Sequence, residues 1–140
     1  MRIKLIALLL FALPMVAFAQ ESPVGRWKTY DEDTGKARLI VDVYEAKGNT
    51  IAAKVVDTLF APNATCTECS GAAKNKPIKD MVILWGLQKD GDAYGKGSVL
   101  KLANGKTYKS KAKLIEGGKK FEVSGCVGFM CKSQVWTREP

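Results

Sequence analysis

From residue 24 onward the chain is a succession of short alternating runs separated by turn-forming residues, the pattern expected of antiparallel β-strands. The first run is Val24 to Tyr30, followed by the polar turn Asp31-Glu32-Asp33-Thr34-Gly35-Lys36. Arg38 to Glu45 then sorts Leu39, Val41 and Val43 onto one face and Arg38, Ile40, Asp42 and Tyr44 onto the other. Lys47-Gly48-Asn49 reverses the chain into Thr50 to Thr58. After a long connection, Leu59 to Lys79, the pattern resumes at Asp80 to Gln88 and continues through Asp90-Gly91 into Asp92 to Leu102. Asn104-Gly105 is the strongest hairpin signal, because a two-residue type I′ turn needs positive φ at both positions. Lys106 to Ile115, Lys119 to Cys126 and Lys132 to Arg138 complete about eight strands. Sequential hairpins of this spacing predict a single antiparallel up-and-down β-barrel, a size of barrel that can just hold one ligand.

Two local patterns refine this picture. Gly25-Arg26-Trp27 and Trp136-Thr137-Arg138 bracket the strand series, which predicts that the first and last strands meet and close the sheet. In Lys106 to Ile115 the outward positions are Thr107, Lys109, Lys111 and Lys113, while Tyr108, Ser110, Ala112 and Leu114 face inward. Gly95 and Gly97 suit a bulge where the sheet bends sharply. Small inward residues such as Ala52, Ser110 and Ala112 are compatible with a ligand cavity and equally with a filled core, and the pattern does not choose between them.

The segment ahead of the strands reads as a leader. Met1-Arg2-Ile3-Lys4 is a basic head, Leu5 to Val16 is mostly apolar, and Ala17-Phe18-Ala19 is an A-x-A cleavage site. The apolar stretch is shorter than the roughly 20 residues of a membrane-spanning helix. Residues 1–19 are therefore assigned as a Sec-type bacterial signal peptide and residues 20–140 as the barrel domain, periplasmic or secreted. The 140 residues less this 19-residue leader leave 121, one domain with a real core. Losing Arg2 and Lys4 takes the net charge from +8 to +6, which favours anionic partners or simply keeps the protein soluble. There is no histidine, which removes the commonest general base and metal ligand.

Over most of the mature chain the sequence resembles an uncharacterised family of small exported bacterial proteins with a lipocalin-like barrel. The matching residues are Ser22-Pro23-Val24-Gly25-Arg26-Trp27-Lys28-Thr29, Asp33-Thr34-Gly35-Lys36, Lys76-Pro77-Ile78 and Ile83-Leu84-Trp85-Gly86-Leu87. Lys89-Asp90-Gly91-Asp92, Gly105-Lys106-Thr107-Tyr108-Lys109, Gly125, Gly128-Phe129 and Gln134-Val135-Trp136-Thr137-Arg138 complete the set. The chain departs from the commoner pattern at Lys79-Asp80-Met81 and after Gly95-Lys96-Gly97, where Ser98-Val99-Leu100 replaces a turn. The resemblance implies a fold and a compartment. It also implies that Gly25 and Trp27 on the first strand meet Arg138 on the last, with the guanidinium stacked on the indole, a contact worth about 1–2 kcal/mol when partly desolvated.

Four cysteines in an exported chain point to disulfides and allow three pairings. Local pairing of Cys66 with Cys69 and of Cys126 with Cys131 is favoured because each needs only a short loop to fold back. Cys66-x-x-Cys69 is also a redox spacing, although Glu68 between the cysteines would oppose a thiolate, and a four-cysteine zinc site is a third alternative. The acids Asp31-Glu32-Asp33 and Asp90-x-Asp92 lie in predicted turns and read as solvated turn formers. Lysines 106, 109, 111, 113, 119 and 120 make a basic patch on two adjacent strands, suited to weak contact with an anionic membrane surface or to plain solvation. Nucleic acid is not expected as a partner, because aromatic interleaving is sparse.

These observations lead to a non-enzymatic envelope protein that binds a small apolar or amphipathic ligand inside the barrel, with no cofactor or metal. Tyr44, Ile83, Trp85, Tyr108, Phe121 and Phe129 are the candidate residues for the cavity or its mouth. The alternatives are a thiol–disulfide redox protein using Cys66-x-x-Cys69, and an interaction module docking on anionic envelope components. The oligomeric state is not set by the sequence.

Overall fold

The computed structural model describes residues 9–14 and 21–140. The leader assigned to residues 1–19 therefore falls outside the described residues except for 9–14, which are exposed and form neither helix nor strand. Eight strands follow: β1 (Gly25–Tyr30), β2 (Ala37–Ala46), β3 (Thr50–Thr58), β4 (Val82–Asp90), β5 (Ala93–Lys101), β6 (Lys106–Ile115), β7 (Lys120–Val127) and β8 (Met130–Arg138). They close in sequence order into one antiparallel barrel, as the alternating runs predict. Single 3₁₀ turns occur at Gly71–Ala73 and Glu116–Gly118.

Closure is made by β1 against β8, with Trp27 opposite Arg138 and Lys28 opposite Thr137. That seam is only two residue pairs long, so side chains reinforce it. The Tyr30 hydroxyl lies 2.6 Å from Thr137 Oγ1, Lys28 pairs with Glu139 at 3.0 Å, and the Glu139 N–H donates to the Arg26 carbonyl. Arg138 is the main fastener: its guanidinium sits 4.3 Å from the Trp27 ring centroid and donates to the carbonyls of Gly118, Val24 and Ser22. Three chain segments thus converge on one cation. Because Arg138 is exposed, the stacking itself contributes about 0.5–1 kcal/mol, the low end for such contacts. Gly25 adopts φ +138°, and a Cβ there would lie 3.2 Å from Arg138 Nη1, so glycine is required both by backbone conformation and by the approach of the guanidinium.

The interior at this closed end is filled. Trp27, fully buried, donates its indole N–H to the Pro23 carbonyl at 2.8 Å. Its ring lies 5.4 Å from that of Phe121, which in turn meets Trp136 edge-on at 6.0 Å. Leu39, Val41 and Val43 are buried on the inward face of β2, as their alternation requires. On β6, Ser110 and Ala112 are buried while Lys109, Lys111 and Lys113 are exposed. Ser110 donates to the Ser124 carbonyl, and among the described residues no buried side-chain polar atom lacks a partner.

The regular alternation breaks where the sheet bends. Along β4, Ile51 and Ala53 of β3 face Leu87 and Leu84, so two residues on β3 span three on β4, and a second extra residue lies between Leu84 and Val82. The register of β5 on β6 also shifts between Tyr94 and Gly97. Gly97 is required there: a Cβ would come within 2.6 Å of the Leu87 side chain and 3.0 Å of the Trp85 carbonyl. The long connection before β4 carries the 3₁₀ turn and an isolated bridge between Thr65 and Pro77. Cys66 and Cys69 are bonded to each other in it, 5.4 Å apart at Cα, and both are buried with Ile78 in the core. Cys126 and Cys131 are bonded across the base of the β7–β8 turn.

Candidate functional site

The filled aromatic layer occupies only one end of the barrel. Toward the other end lies a cavity of about 690 Å³, within the roughly 300–1,000 Å³ range of small-molecule sites. Antiparallel topology brings four connections to this open end: 31–36, the long connection 59–81, the β5–β6 turn and the β7–β8 turn. The cavity wall is apolar, with Leu39, Ile83, Val99 and Val123 along it, and Trp136 belongs both to this lining and to the aromatic layer beneath. The barrel is therefore packed at one end and hollow at the other, an outcome that joins the two alternatives left open by its small inward residues.

Gly125 explains part of the free volume. It points inward on β7, and a Cβ at that position would touch Val99 and Tyr108 only at ordinary van der Waals distances of 3.4 and 3.5 Å. The glycine is thus not demanded by packing, and its missing side chain leaves room in the cavity.

A polar column climbs the inner wall from the floor to the mouth. On β8, Trp136, Gln134 and Lys132 share the inward parity and all line the cavity. The Trp136 indole N–H donates to Gln134 Oε1 at 3.4 Å, Gln134 Nε2 donates to Glu32 Oε1 at 2.8 Å, and Lys132 pairs with Glu32 Oε2 at 2.8 Å. Lys101 reaches the same Glu32 oxygen at 3.5 Å from β5. Glu32 sits in the β1–β2 loop, so this single carboxylate clasps that loop across the mouth to two other strands. The loop is itself pre-shaped by Asp31, whose Oδ1 accepts from the backbone N–H groups of Asp33 and Thr34 and whose other oxygen pairs with Arg38. Those backbone donors, Thr34 first, hold the Asp31 carboxyl below its ordinary range.

The Lys132 ammonium, followed by Gln134 and Lys101, lowers the Glu32 pKa against an opposing desolvation, and Glu32 raises that of Lys132 in return. A carboxyl with a depressed folded pKa stabilises fully above its unfolded value, and that contribution disappears as pH falls through the folded value. The clasp is therefore intact at neutral pH and released by acid. Glu32→Gln should lower the melting temperature at about pH 7, and the gap to wild type should narrow as the pH falls below the ordinary carboxyl range, which thermal melts along a falling pH series measure.

The candidate residues named from the sequence fall in different places. Ile83 and Tyr108 line the cavity, and the Tyr108 hydroxyl accepts a hydrogen bond from Asn104. Phe121 faces inward but is fully buried in the aromatic layer below the cavity, between Trp27 and Trp136. Tyr44 is off the lining, on the outer face of β2 with Asp42. Trp85 is also off the lining and is partly exposed, because the extra residues in β4 turn its side chain out of the parity set by Ile83. Phe129 occupies the tip of the β7–β8 turn and is 97% exposed, outside the lining although its neighbours Val127 and Met130 belong to it. Glu32, Lys101, Lys132 and Gln134 were missed. Gln134 and Lys132 could have been found by counting back in twos from Trp136, whereas the pairing with Glu32 spans about a hundred residues and has no local signal.

Comparison with known proteins agrees with this architecture. Residues 25–138 match the family described as uncharacterized protein conserved in bacteria (DUF2147). Among curated proteins none matches the chain. Among solved structures, one described as protein HP1028 from the human pathogen Helicobacter pylori, belonging to the lipocalin family, superimposes with a TM-score of 0.73. The match has 21% identity and covers 85% of this chain and 84% of that one, a likeness of fold. With the barrel closed through Trp27 and Arg138 and the family match running from the first strand to the last, the chain belongs to the bacterial DUF2147 family and has a lipocalin-like fold.

Proposed function

We propose that this protein binds a small amphipathic molecule in the open half of its barrel, without catalysing a reaction on it, and that it does so outside the cytoplasm of a bacterium. The observation that carries this reading is the combination of an apolar cavity of about 690 Å³ with a one-sided polar column. The apolar part of the ligand would rest on Trp136 and the wall formed by Ile83, Val99 and Val123. Its polar end would lie at the mouth, where Tyr108, Lys101 and Lys132 can supply hydrogen bonds. Export is supported by the leader pattern and by two disulfides, which persist in oxidising compartments.

The redox alternative is less well supported, because Cys66 and Cys69 are 2% and 3% exposed and thiol exchange needs an accessible sulfur. Titration of the oxidised protein with a fluorescent fatty acid tests the ligand-binding reading. Saturable binding at one site per chain is expected, competed by unlabelled fatty acid. Failure to saturate, or loss of the signal without competition, would overturn it.

A further inference from the structure

In the barrel domain the exposed large apolar side chains of loops and strand ends gather at the open end, except for Val24 just ahead of β1. Val127, Phe129 and Met130 form the β7–β8 tip, and Leu59 and Phe60 begin the long connection across the mouth, where the Arg38 guanidinium covers the Phe60 ring at 4.5 Å. The closed end is built differently. Its turns are Lys47-Gly48-Asn49, Gly91-Asp92 and Glu116-Gly117-Gly118, with no large apolar residue among them.

Of the five, Phe129 is the most exposed, at 97%. It stands on a two-residue turn whose base is tied by the Cys126–Cys131 disulfide and whose Gly128 has φ +59°. A tip so short and so braced cannot fold its aromatic ring back into the core. Lys106 and Lys109 share a shallow groove with Val127 and Gly128, and neither joins an ion pair with a described residue. Across the mouth, Asp31 and Glu32 are already engaged by Arg38, Lys101 and Lys132, and Asp33, which joins no ion pair itself, feels the same Lys132. Glu68, whose backbone carbonyl lies against Gly105, joins no ion pair either, so the free charge beside the apolar tip is two lysines against one acid, a net positive charge.

We propose that the open end of the barrel docks on an anionic phospholipid bilayer, with Phe129 entering the interface and Lys106 and Lys109 meeting the headgroup phosphates. Apolar side chains flanked by lysine are the composition that holds peripheral proteins at the headgroup boundary. A stable protein–protein interface uses about 20–30 residues a side, many more than this rim supplies. The docked orientation turns the cavity mouth toward the lipid, because Val127 and Met130 belong to both the tip and the lining. Exchange of an amphipathic ligand between bilayer and cavity follows from the docked geometry only if the cavity binds such a ligand, so that consequence rests on the function proposed above. The docking does not.

The test is flotation of the oxidised protein with vesicles of phosphatidylglycerol and phosphatidylethanolamine, with phosphatidylcholine vesicles as the neutral control. Wild type should float with the anionic vesicles and much less with the neutral ones. Phe129→Ser should lower the partition coefficient at least tenfold. The residue is exposed, so its melting temperature should stay unchanged, and Met130→Ser gives a second, independent reduction. In Phe129→Trp, the emission added relative to wild type should shift to the blue on vesicle addition and be quenched by lipids brominated along their chains. Unchanged flotation of Phe129→Ser, or an added tryptophan that bromolipids do not quench, would overturn the proposal. So would loss of flotation only on Lys111→Glu and Lys113→Glu, which would place contact on the flat lysine face. A Phe129-dependent dimer in vesicle-free buffer would assign the rim to a second copy and overturn it as well. Fatty-acid titration without vesicles is read separately, so an inert cavity and a rim that does not dock give different results.

Discussion

Trp27→Ala is expected to remove about 3–5 kcal/mol of stability, the range for deleting a fully buried tryptophan. Against a typical total of about 5–15 kcal/mol this leaves a marginal fold, with a melting temperature lower by roughly 10–20 °C. The size of the effect comes from position. Trp27 lies under the β1–β8 seam, where strands distant in sequence must find each other, stacks on Phe121, and carries the guanidinium of Arg138 on its other side. Removing it leaves a void beneath Phe121 and an Arg138 with no ring to lie on. Arg138→Met should cost about 1–2 kcal/mol, because the cation is exposed and its hydrogen bonds are partly replaced by water. If the two act through the same contact, the double variant should lose less than the sum of the singles by about 0.5–1 kcal/mol. Chemical denaturation of the four proteins measures this. Additive losses would mean that the stacked pair is incidental to closure.

Gly125→Leu should abolish fatty-acid binding while leaving the fold intact. The position lines the cavity, its backbone is ordinary strand, and a Cβ meets Val99 and Tyr108 without overlap. An isobutyl group there projects into the space the ligand needs, so affinity should fall by at least about a hundredfold, equivalent to about 2.7 kcal/mol. Gly125→Ala is the control, expected to bind within a few-fold of wild type. Equal affinity of Gly125→Leu and wild type would show that the molecule binds elsewhere, on the rim or on the outer face.

Much of the architecture is legible in the sequence because antiparallel hairpins are local. Asp90-Gly91 and Lys47-Gly48-Asn49 reverse the chain within a few residues, and a two-residue period then assigns the faces of β2 and β6 correctly. Asn104-Gly105 also marks a reversal, but not the two-residue type I′ turn its sequence predicts: the connection is four residues long, 102–105, and of the pair only Gly105 has positive φ. Closure is legible for a different reason: Gly25-Arg26-Trp27 and Trp136-Thr137-Arg138 bracket the strand series, and the family resemblance implies that Trp27 and Arg138 meet. The cavity lining is harder to read. Parity puts a residue inside or outside but says nothing of depth, so Phe121 is rightly inward yet serves the packed layer. Extra residues in β4 reverse the parity of Trp85, and neither of them leaves a mark beyond Gly86. Tyr44 alternates with Val43, and that alternation places it on the outer face, away from the cavity. The Glu32 clasp depends on a loop, β5 and β8 converging at one end of the barrel, which no local pattern encodes.

The three indole N–H groups give the most direct test of a ligand-binding interior, because each reports on a different environment. Trp27 is sealed in the aromatic layer and bonded to the Pro23 carbonyl, Trp85 is on the outer wall, and Trp136 faces the cavity through its bond to Gln134. In a nitrogen–proton correlation spectrum of the oxidised protein titrated with a medium-chain fatty acid, the Trp136 resonance should move saturably while those of Trp27 and Trp85 stay in place. A shift confined to Trp85, or none at Trp136 at saturating ligand, would contradict a ligand-binding interior.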